Sequence, residues 1–158
     1  MRNKPRVYFA APLFTQAEWQ WNSDFANELR QLDFDIILPQ SSAEPMLNGE
    51  MDFDAHALFQ TNIDSMDKAD VVLAILDQSD PDSGTCWECG YAYKAGYPIV
   101  GLRTDLRRGG DDPKSSVNLM LSQSCNEFVE AALSNRNDLA LLAQTVAQAI
   151  QRVMNSNS

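Results

Sequence analysis

The chain has 158 residues, 44% of them hydrophobic and 22% charged, which is the size and balance of a globular protein with its own core. Twelve basic residues face 22 acidic ones, and the formal charge of −10 argues against binding nucleic acid or anionic membranes, because both need lysine and arginine to neutralise phosphate. No apolar run approaches the ~18 residues of a membrane span, and the first apolar stretch is too short for a signal peptide, so we expect a cytoplasmic protein.

The first third of the chain alternates strand-like and helix-like patterns. Residues 6–12 form a short apolar run that ends in proline, which is typical of a buried strand. Residues 15–32 carry apolar residues at helical spacing and open on a Thr-x-x-Glu capping box at Thr15. A second strand is predicted at 34–39, and a polar stretch with glycine and proline predicts a loop over 40–51.

The same alternation continues to the C-terminus. A helix is predicted at 54–69, and the continuous β-branched run at 70–76 predicts a central strand. A helix over 85–96 stops at a glycine and leads into a fourth strand at 97–103. After a Gly/Asp-rich loop and a short serine-rich segment, the last helix is predicted at 137–154.

Short connections between alternating strands and helices predict one α/β domain over residues 1–158, a doubly wound parallel sheet of about five strands. Ligands of such sheets bind beyond the carboxyl ends of the strands. The turns of interest are therefore those that follow the first three strands, and the third leads into "DPDSGTCWECGYAYKAG" at residues 80–96.

Two kinds of chemistry compete within that stretch. Cys86 and Cys89 have the Cys-x-x-Cys spacing of a redox dithiol at a helix N-terminus. The motif follows the third strand rather than the first, however, and the anionic Glu88 between the thiols would raise their pKa. Small cysteines are also common packing residues, and three cysteines do not make a disulfide framework.

Two carboxylates of this stretch, Glu88 and Asp82, each allow a structural and a functional interpretation. Glu88 stands three residues after Thr85, so it could simply complete a capping box. A carboxylate in a first helical turn is also stabilised as an anion, and a low-pKa carboxylate can act as a nucleophile toward a sugar. Asp82 could accept hydrogen bonds from sugar hydroxyls or be an ordinary turn residue.

Four segments together carry a family resemblance: "RVYFAAPLF", "NIDSMDKADVVLAIL", "DSGTCWECGYAYKAGYPIV" and "VNLM". Their order and spacing over residues 5–125 resemble the nucleoside 2-deoxyribosyltransferases. The resemblance implies a flavodoxin-like fold and a two-step exchange of purine or pyrimidine bases on 2-deoxyribose, with a nucleoside and a nucleobase as binding partners.

The resemblance also implies roles for four residues. Glu88 would be the nucleophile, Asp82 would bind the sugar hydroxyls, and Tyr8 would support the nucleophile. Asn118 would reach into the site of a neighbouring subunit, which implies a homo-oligomer with shared sites.

One position departs from the family pattern. The family usually has an aspartate eight residues before the Asp of "ADVVLA", where this chain has Asn62. An amide can hydrogen-bond a departing base but cannot give it a proton at neutral pH. We expect Asn62 to contact the base with impaired proton donation. Asp64 is a poor substitute, because two residues along a helix point in a different direction.

Further residues are weaker candidates. Phe14 could stack on the base or belong to the core, Gln40 could read a base edge or lie in a solvated loop, and Met120 could contact sugar across an interface or pack in the core. His56 is expected on a helix surface.

No metal-ligand spacing is present, and we expect neither a metal nor a cofactor. Nucleic-acid binding by stacking needs basic residues around the aromatic ones, and the tryptophans have none nearby. We therefore interpret them as core or interface residues: Trp19, Trp21 and Trp87.

Two other functions stay open. The first is an N-glycoside hydrolase acting on deoxynucleoside 5'-monophosphates, although "AAPLFTQ" after the first strand offers few donors for a phosphate. The second is a non-catalytic nucleotide-sensing module, which would need no nucleophile.

Overall fold

The computed structural model describes residues 4–131 and 137–156, which form a five-stranded sheet with helices on both faces. The strands are β1 (Arg6–Ala10), β2 (Asp35–Ile37), β3 (Val71–Ile75), β4 (Ile99–Arg103) and β5 (Glu127–Glu130). The helices are α1 (Gln16–Gln31), α2 (Pro39–Leu47), α3 (Ala55–Met66), α4 (Ser83–Ala95), α5 (Leu119–Ser124) and α6 (Leu139–Ser156). None of these helices is both long enough and apolar enough to cross a membrane.

Neighbouring strands pair in parallel in the order β2-β1-β3-β4-β5. Every residue of β3 is buried, as its continuous apolar run predicts for a strand covered on both faces. The predicted doubly wound α/β fold is thereby confirmed, with the flavodoxin-like strand order. The chain leaves β1 toward one edge of the sheet and β3 toward the other, so a crevice opens beyond the carboxyl ends of these two strands.

Alternate residues of β1 face two different cores. Val7 and Phe9 pack with α1 and α6 on one face of the sheet. Tyr8 and Ala10 point to the other face, where α3 and α4 supply Met66 and other core residues. This period of two puts the Tyr8 side chain beneath the helices that border the crevice.

Two sequence signals for helix ends are confirmed. Thr15 caps α1 in a complete capping box, in which the Thr15 hydroxyl accepts from the Glu18 N–H and the Glu18 carboxylate accepts from the Thr15 N–H. Helix α4 ends at Gly96, whose φ of 81° lies in the left-handed region that favours glycine.

The predicted loop over 40–51 is wrong, because most of it belongs to α2. Pro39 occupies the first position of this helix, where a missing N–H costs nothing and the fixed φ suits a helix. The sequence pattern does not locate strand β5. It has only four residues, of which Val129 alone is buried, so it presents no apolar run.

Candidate active site

Two adjoining cavities open at the carboxyl ends of β1 and β3. The first, here called the upper cavity, holds about 180 Å³ and is lined by Ala11, Leu13, Phe14, Pro39, Ala43, Leu58, Asn62, Asp82, Gly84, Thr85 and Glu88. The second, here called the α3–α4 groove, holds about 240 Å³ and is lined by Phe59, Asn62, Ile63, Met66, Gly84, Trp87 and Glu88. Three residues line both: Asn62, Gly84 and Glu88.

A short hydrogen bond fixes the carboxylate that the two cavities share. The Tyr8 hydroxyl donates to Glu88 Oε1 at 2.6 Å. Tyr8 is fully buried on β1, whereas Glu88 lies on α4, the helix that follows β3. This contact joins two residues 80 positions apart in the chain, so only the folded sheet brings them together.

The pKa of Glu88 is raised to about 7: burial raises it most, the hydrogen bond from Tyr8 lowers it, and the nearby Asp82 carboxylate raises it by a smaller amount. The pKa of Tyr8 is also raised, first by burial and then by the charge of Glu88. Tyr8 therefore stays a neutral donor across the physiological pH range, and Glu88 changes its charge near neutrality.

The expectation that Glu88 is a low-pKa carboxylate of a first helical turn is wrong. Helix α4 begins at Ser83, two residues earlier than predicted, so Glu88 lies in its second turn. The capping box of Thr85 and Glu88 is absent because Asp82 caps the helix instead. Desolvation therefore outweighs the helix dipole, whose effect falls off within the first turn.

Asp82 combines a structural contact with a place at the cavity. Its Oδ2 accepts hydrogen bonds from the Thr85 N–H at 2.8 Å and from the Thr85 hydroxyl at 3.1 Å. The carboxylate also lines the upper cavity beside Glu88. A capping residue is held in one orientation, so Asp82 faces the cavity as a preorganised acceptor.

Two other predicted site residues lie at the same cavity. Asn62 projects from α3 between the upper cavity and the groove. Phe14 is 75% exposed at the rim of the upper cavity, which rules out its alternative as a core residue. Asp64, the considered substitute for Asn62, accepts a hydrogen bond from Gln60 on the exposed side of α3 and does not line either cavity.

Gln40 does not belong to this group, and neither of its predicted alternatives holds. It is 3% exposed in α2, which excludes a solvated loop. Its amide is engaged on α1, where it accepts from Asn22 and donates to Ser23 and the Trp19 carbonyl. Gln40 therefore anchors α2 against α1, and its amide is not available to read a base edge.

Asn118 and Met120 also lie away from the two cavities of their own chain. Asn118 caps α5 by accepting from the Met120 N–H at 2.9 Å, and its amide donates to Asp111 at 3.2 Å. Met120 is 72% exposed and lines a separate cavity between α4 and α5, so its alternative as a core residue is wrong.

The cysteines are free thiols. Burial raises the pKa of Cys89, and burial with the charge of Asp82 raises that of Cys86, so neither is a thiolate at neutral pH. Cys89 packs in the core beneath α4. Within residues 4–131 and 137–156, no group of three His, Cys, Asp or Glu side chains is arranged to hold a metal ion.

Sequence reasoning missed the aromatic wall of the groove. Phe59 lies three residues before Asn62 on α3, and Trp87 lies directly before Glu88 on α4. Helical neighbours at spacings of three and four share a face, so Phe59, Asn62, Ile63 and Met66 form one stripe. That spacing could have predicted the groove once α3 was known to face α4.

A family model described as nucleoside 2-deoxyribosyltransferase matches residues 7–120, which cover β1 through the start of α5. The chain belongs to this family. The family consists of enzymes of the deoxyribosyltransferase type, which act on small nucleosides and nucleobases. No curated protein sequence matches the chain.

Solved structures share the fold over most of the chain. A conserved protein from Enterococcus faecalis V583 is 26% identical, with a TM-score of 0.70 over 90% of this chain and 98% of its own. A 2-deoxyribosyltransferase from Bacillus psychrosaccharolyticus is 24% identical, with a TM-score of 0.67 over 87% of this chain and 95% of its own. A CMP N-glycosidase from Clostridium botulinum is 16% identical, with a TM-score of 0.60 over 91% of this chain and 98% of its own.

The burial of Glu88 predicts a pH-dependent stability cost. Because the fold raises its pKa from 4.5 to about 7, ionised Glu88 weakens the fold as pH rises from about 4.5 to 7, and the cost is complete above 7. Glu88→Gln keeps an acceptor for Tyr8 without the charge. We expect it to stabilise the fold at pH 8 by about 1–3 kcal/mol, with the gain vanishing near pH 4.5.

Thermal or urea unfolding of both proteins from pH 4.5 to 8 measures this difference. Glu44→Gln, on the exposed surface of α2, is the matched control and should show no such pH-dependent gain. A Glu88→Gln protein that is less stable than the parent at pH 8 would contradict the stability cost of ionised Glu88.

Proposed function

We propose that this chain transfers 2-deoxyribosyl groups between nucleobases, purine or pyrimidine, with Glu88 as the nucleophile. The observation that carries the proposal is the Tyr8–Glu88 hydrogen bond at the floor of a cavity that also exposes Asp82 and Asn62. Family membership supplies the substrate class. The geometry supplies a carboxylate, a donor that orients it, and room for a ligand beside it.

The reaction is a double displacement at the anomeric carbon of a 2'-deoxynucleoside. An oxygen of Glu88 bonds to C1' while the C1'–N bond breaks and its electron pair leaves with the base. The departed base takes up a proton. A second base then attacks C1' through a ring nitrogen, which gives up its proton to solvent, and the ester C1'–O bond breaks to return the carboxylate. Two inversions give net retention, and water in place of the second base gives hydrolysis.

The hydrogen bond from Tyr8 suits both steps. It occupies Oε1 and leaves Oε2 for attack on C1'. Burial makes Glu88 a more basic and therefore stronger nucleophile than a solvated carboxylate, whereas the phenol stabilises the carboxylate as it departs in the second step. The missing 2'-hydroxyl removes an electron-withdrawing group, so a cationic sugar is easier to reach.

Asp82 is suited to hold the sugar. Its carboxylate lines the upper cavity beside Glu88, and the bonds from Thr85 fix its direction. Phe14, at the rim of that cavity, offers an exposed ring for stacking on the base.

A nucleotide hydrolase is less well supported. The described residues that line the upper cavity and the groove include no lysine or arginine, so a 5'-phosphate has no cation there. The likeness to the CMP N-glycosidase, at 16% identity, concerns the fold alone.

Intact-mass spectrometry tests the covalent step. A 2'-fluoro-2'-deoxynucleoside slows both displacements, because fluorine destabilises the cationic sugar, and we expect it to leave one sugar ester on the protein. Peptide mapping should locate the ester on Glu88, and Glu88→Gln should form none. Binding of the nucleoside without an adduct would favour the sensing module, and preferential cleavage of the 5'-monophosphate, followed by chromatography, would favour the hydrolase.

Asn62 tests the supply of a proton to the base. An aspartate there would face Glu88 and Asp82, and two like charges raise its pKa, which keeps it protonated as a donor near neutral pH. We expect Asn62→Asp to raise kcat by roughly a hundredfold, the lower end of the usual range for a general acid. Asn62→Ala, which removes the hydrogen bond, should lower kcat. Equal or lower turnover in the aspartate variant would exclude this role.

We infer that the working enzyme is a homo-oligomer in which Asn118 serves a neighbouring copy's site. Asn118, at the N-cap of α5, and Met120 are exposed and line neither cavity of their own chain, which favours a contact with substrate in another copy.

Complementation between two defective chains tests that inference. Glu88→Gln removes the nucleophile, and Asn118→Ser removes the amide but keeps a good helix cap. In a mixed dimer, one of the two shared sites regains both native residues. Co-expression should therefore restore about a quarter of the activity for randomly paired dimers. No recovery on co-expression would show that Asn118 acts within its own chain or not at all.

A further inference from the structure

The α3–α4 groove continues the candidate site on the side away from Asp82. Asn62, Gly84 and Glu88 line both spaces, whereas Asp82 lines only the upper cavity. The remaining groove residues are apolar or aromatic: Phe59, Ile63, Met66 and Trp87. A group that extends past Asn62 from the upper cavity therefore leaves the space that Asp82 lines and enters one whose other side chains are apolar or aromatic.

The aromatic wall of the groove is held in place. Trp87 meets Phe59 edge to face with ring centroids 5.4 Å apart, and it stacks on Tyr91 with ring centroids 5.7 Å apart. The hydroxyls of Tyr91 and Tyr97 both donate to Asp67 Oδ1, at 2.7 and 3.0 Å. Because this network fixes the Trp87 ring before any ligand arrives, little conformational entropy is lost on binding.

The size of the groove suits one aromatic ring. An apolar cavity of about 150 Å³ is known to hold benzene, and the groove offers about 240 Å³. Trp87 and Phe59 are still 50% and 48% exposed, so apolar surface remains there for a ligand to cover. A sugar would leave its hydroxyls without partners against these side chains, whereas an aromatic group would not.

We propose that the groove is a subsite for an apolar, aromatic substituent on the nucleobase, such as an arylmethyl group on an exocyclic amine. The proposal rests on the proposed function, in which Asn62 contacts the base. A base held at Asn62 lies at the junction of the two spaces, and a substituent on its outer edge enters the groove. Trp87 is then a specificity residue for modified bases.

A comparison of two acceptor bases tests the subsite. With 2'-deoxyuridine as donor, kcat/KM is measured for adenine and for N6-benzyladenine. We expect the parent to use N6-benzyladenine at least as well as adenine. Trp87→Ala should lower the ratio of kcat/KM for N6-benzyladenine to kcat/KM for adenine about tenfold, which is the size of a lost aromatic contact. Trp87→Phe, which keeps a ring, should restore most of the ratio.

Tyr93→Ala is the matched control, because Tyr93 is an exposed aromatic residue of the same helix that lines the cavity toward α5 instead. Its ratio should equal that of the parent. Rejection of N6-benzyladenine by the parent, or an unchanged ratio in Trp87→Ala, would overturn the subsite while adenine exchange still supported the proposed function. Failure to exchange either base would instead count against the proposed function.

Binding of the free bases separates the two failures further. Calorimetry of N6-benzyladenine and adenine needs no turnover, and a preference for the benzyl compound that Trp87→Ala abolishes would support the subsite by itself. Equal affinity of the parent for both bases would overturn it.

Discussion

The hydrogen bond from Tyr8 to Glu88 is the contact on which the candidate site depends. A carboxylate brought against a buried sheet loses hydration, and a single phenol hydroxyl at 2.6 Å replaces part of it. The replacement is incomplete, which is why the pKa of Glu88 rises to about 7 despite the bond. A fold selected for stability alone would not keep this charge here, and that imbalance is typical of functional sites.

The loops that border the site are held from outside it. Arg103, 2% exposed at the end of β4, donates to the carbonyls of Leu76 and Gln78 and to that of Arg107. These bonds fix the chain where it leaves β3, just before Asp82. The acceptors are carbonyls, so the guanidinium orients the loop through its backbone.

Helix α3 is held differently. Of its residues, Met66 alone is buried, so the core secures only its C-terminal end. Just after that end, Asp67 accepts hydrogen bonds from Tyr91 and Tyr97. Nearer the N-terminus of the helix, Phe59 packs on Trp87. The position of Asn62 therefore depends on aromatic contacts with α4 as much as on the core.

The sequence predicts what periodicity controls and misses what only the tertiary structure decides. The run at β3, the capping box at Thr15 and the stop at Gly96 depend on neighbours within a few residues, and each is found as predicted. The start of α4 was misplaced because two capping residues, Asp82 and Thr85, compete locally. The pKa of Glu88 could not be predicted, because it depends on burial by segments far along the chain.

In the proposed reaction, an amide at position 62 would make catalysis depend more on stabilising the sugar. Without a proton for the departing base, the base must leave with its negative charge only partly stabilised by a hydrogen bond from Asn62. Bond breaking would then run further ahead of proton transfer, and more positive charge would develop on the deoxyribose. A buried, basic Glu88 would suit that demand, because its charge would attract the developing cation most strongly where water is excluded. The raised pKa of the carboxylate and the missing acid are therefore compatible features of one site.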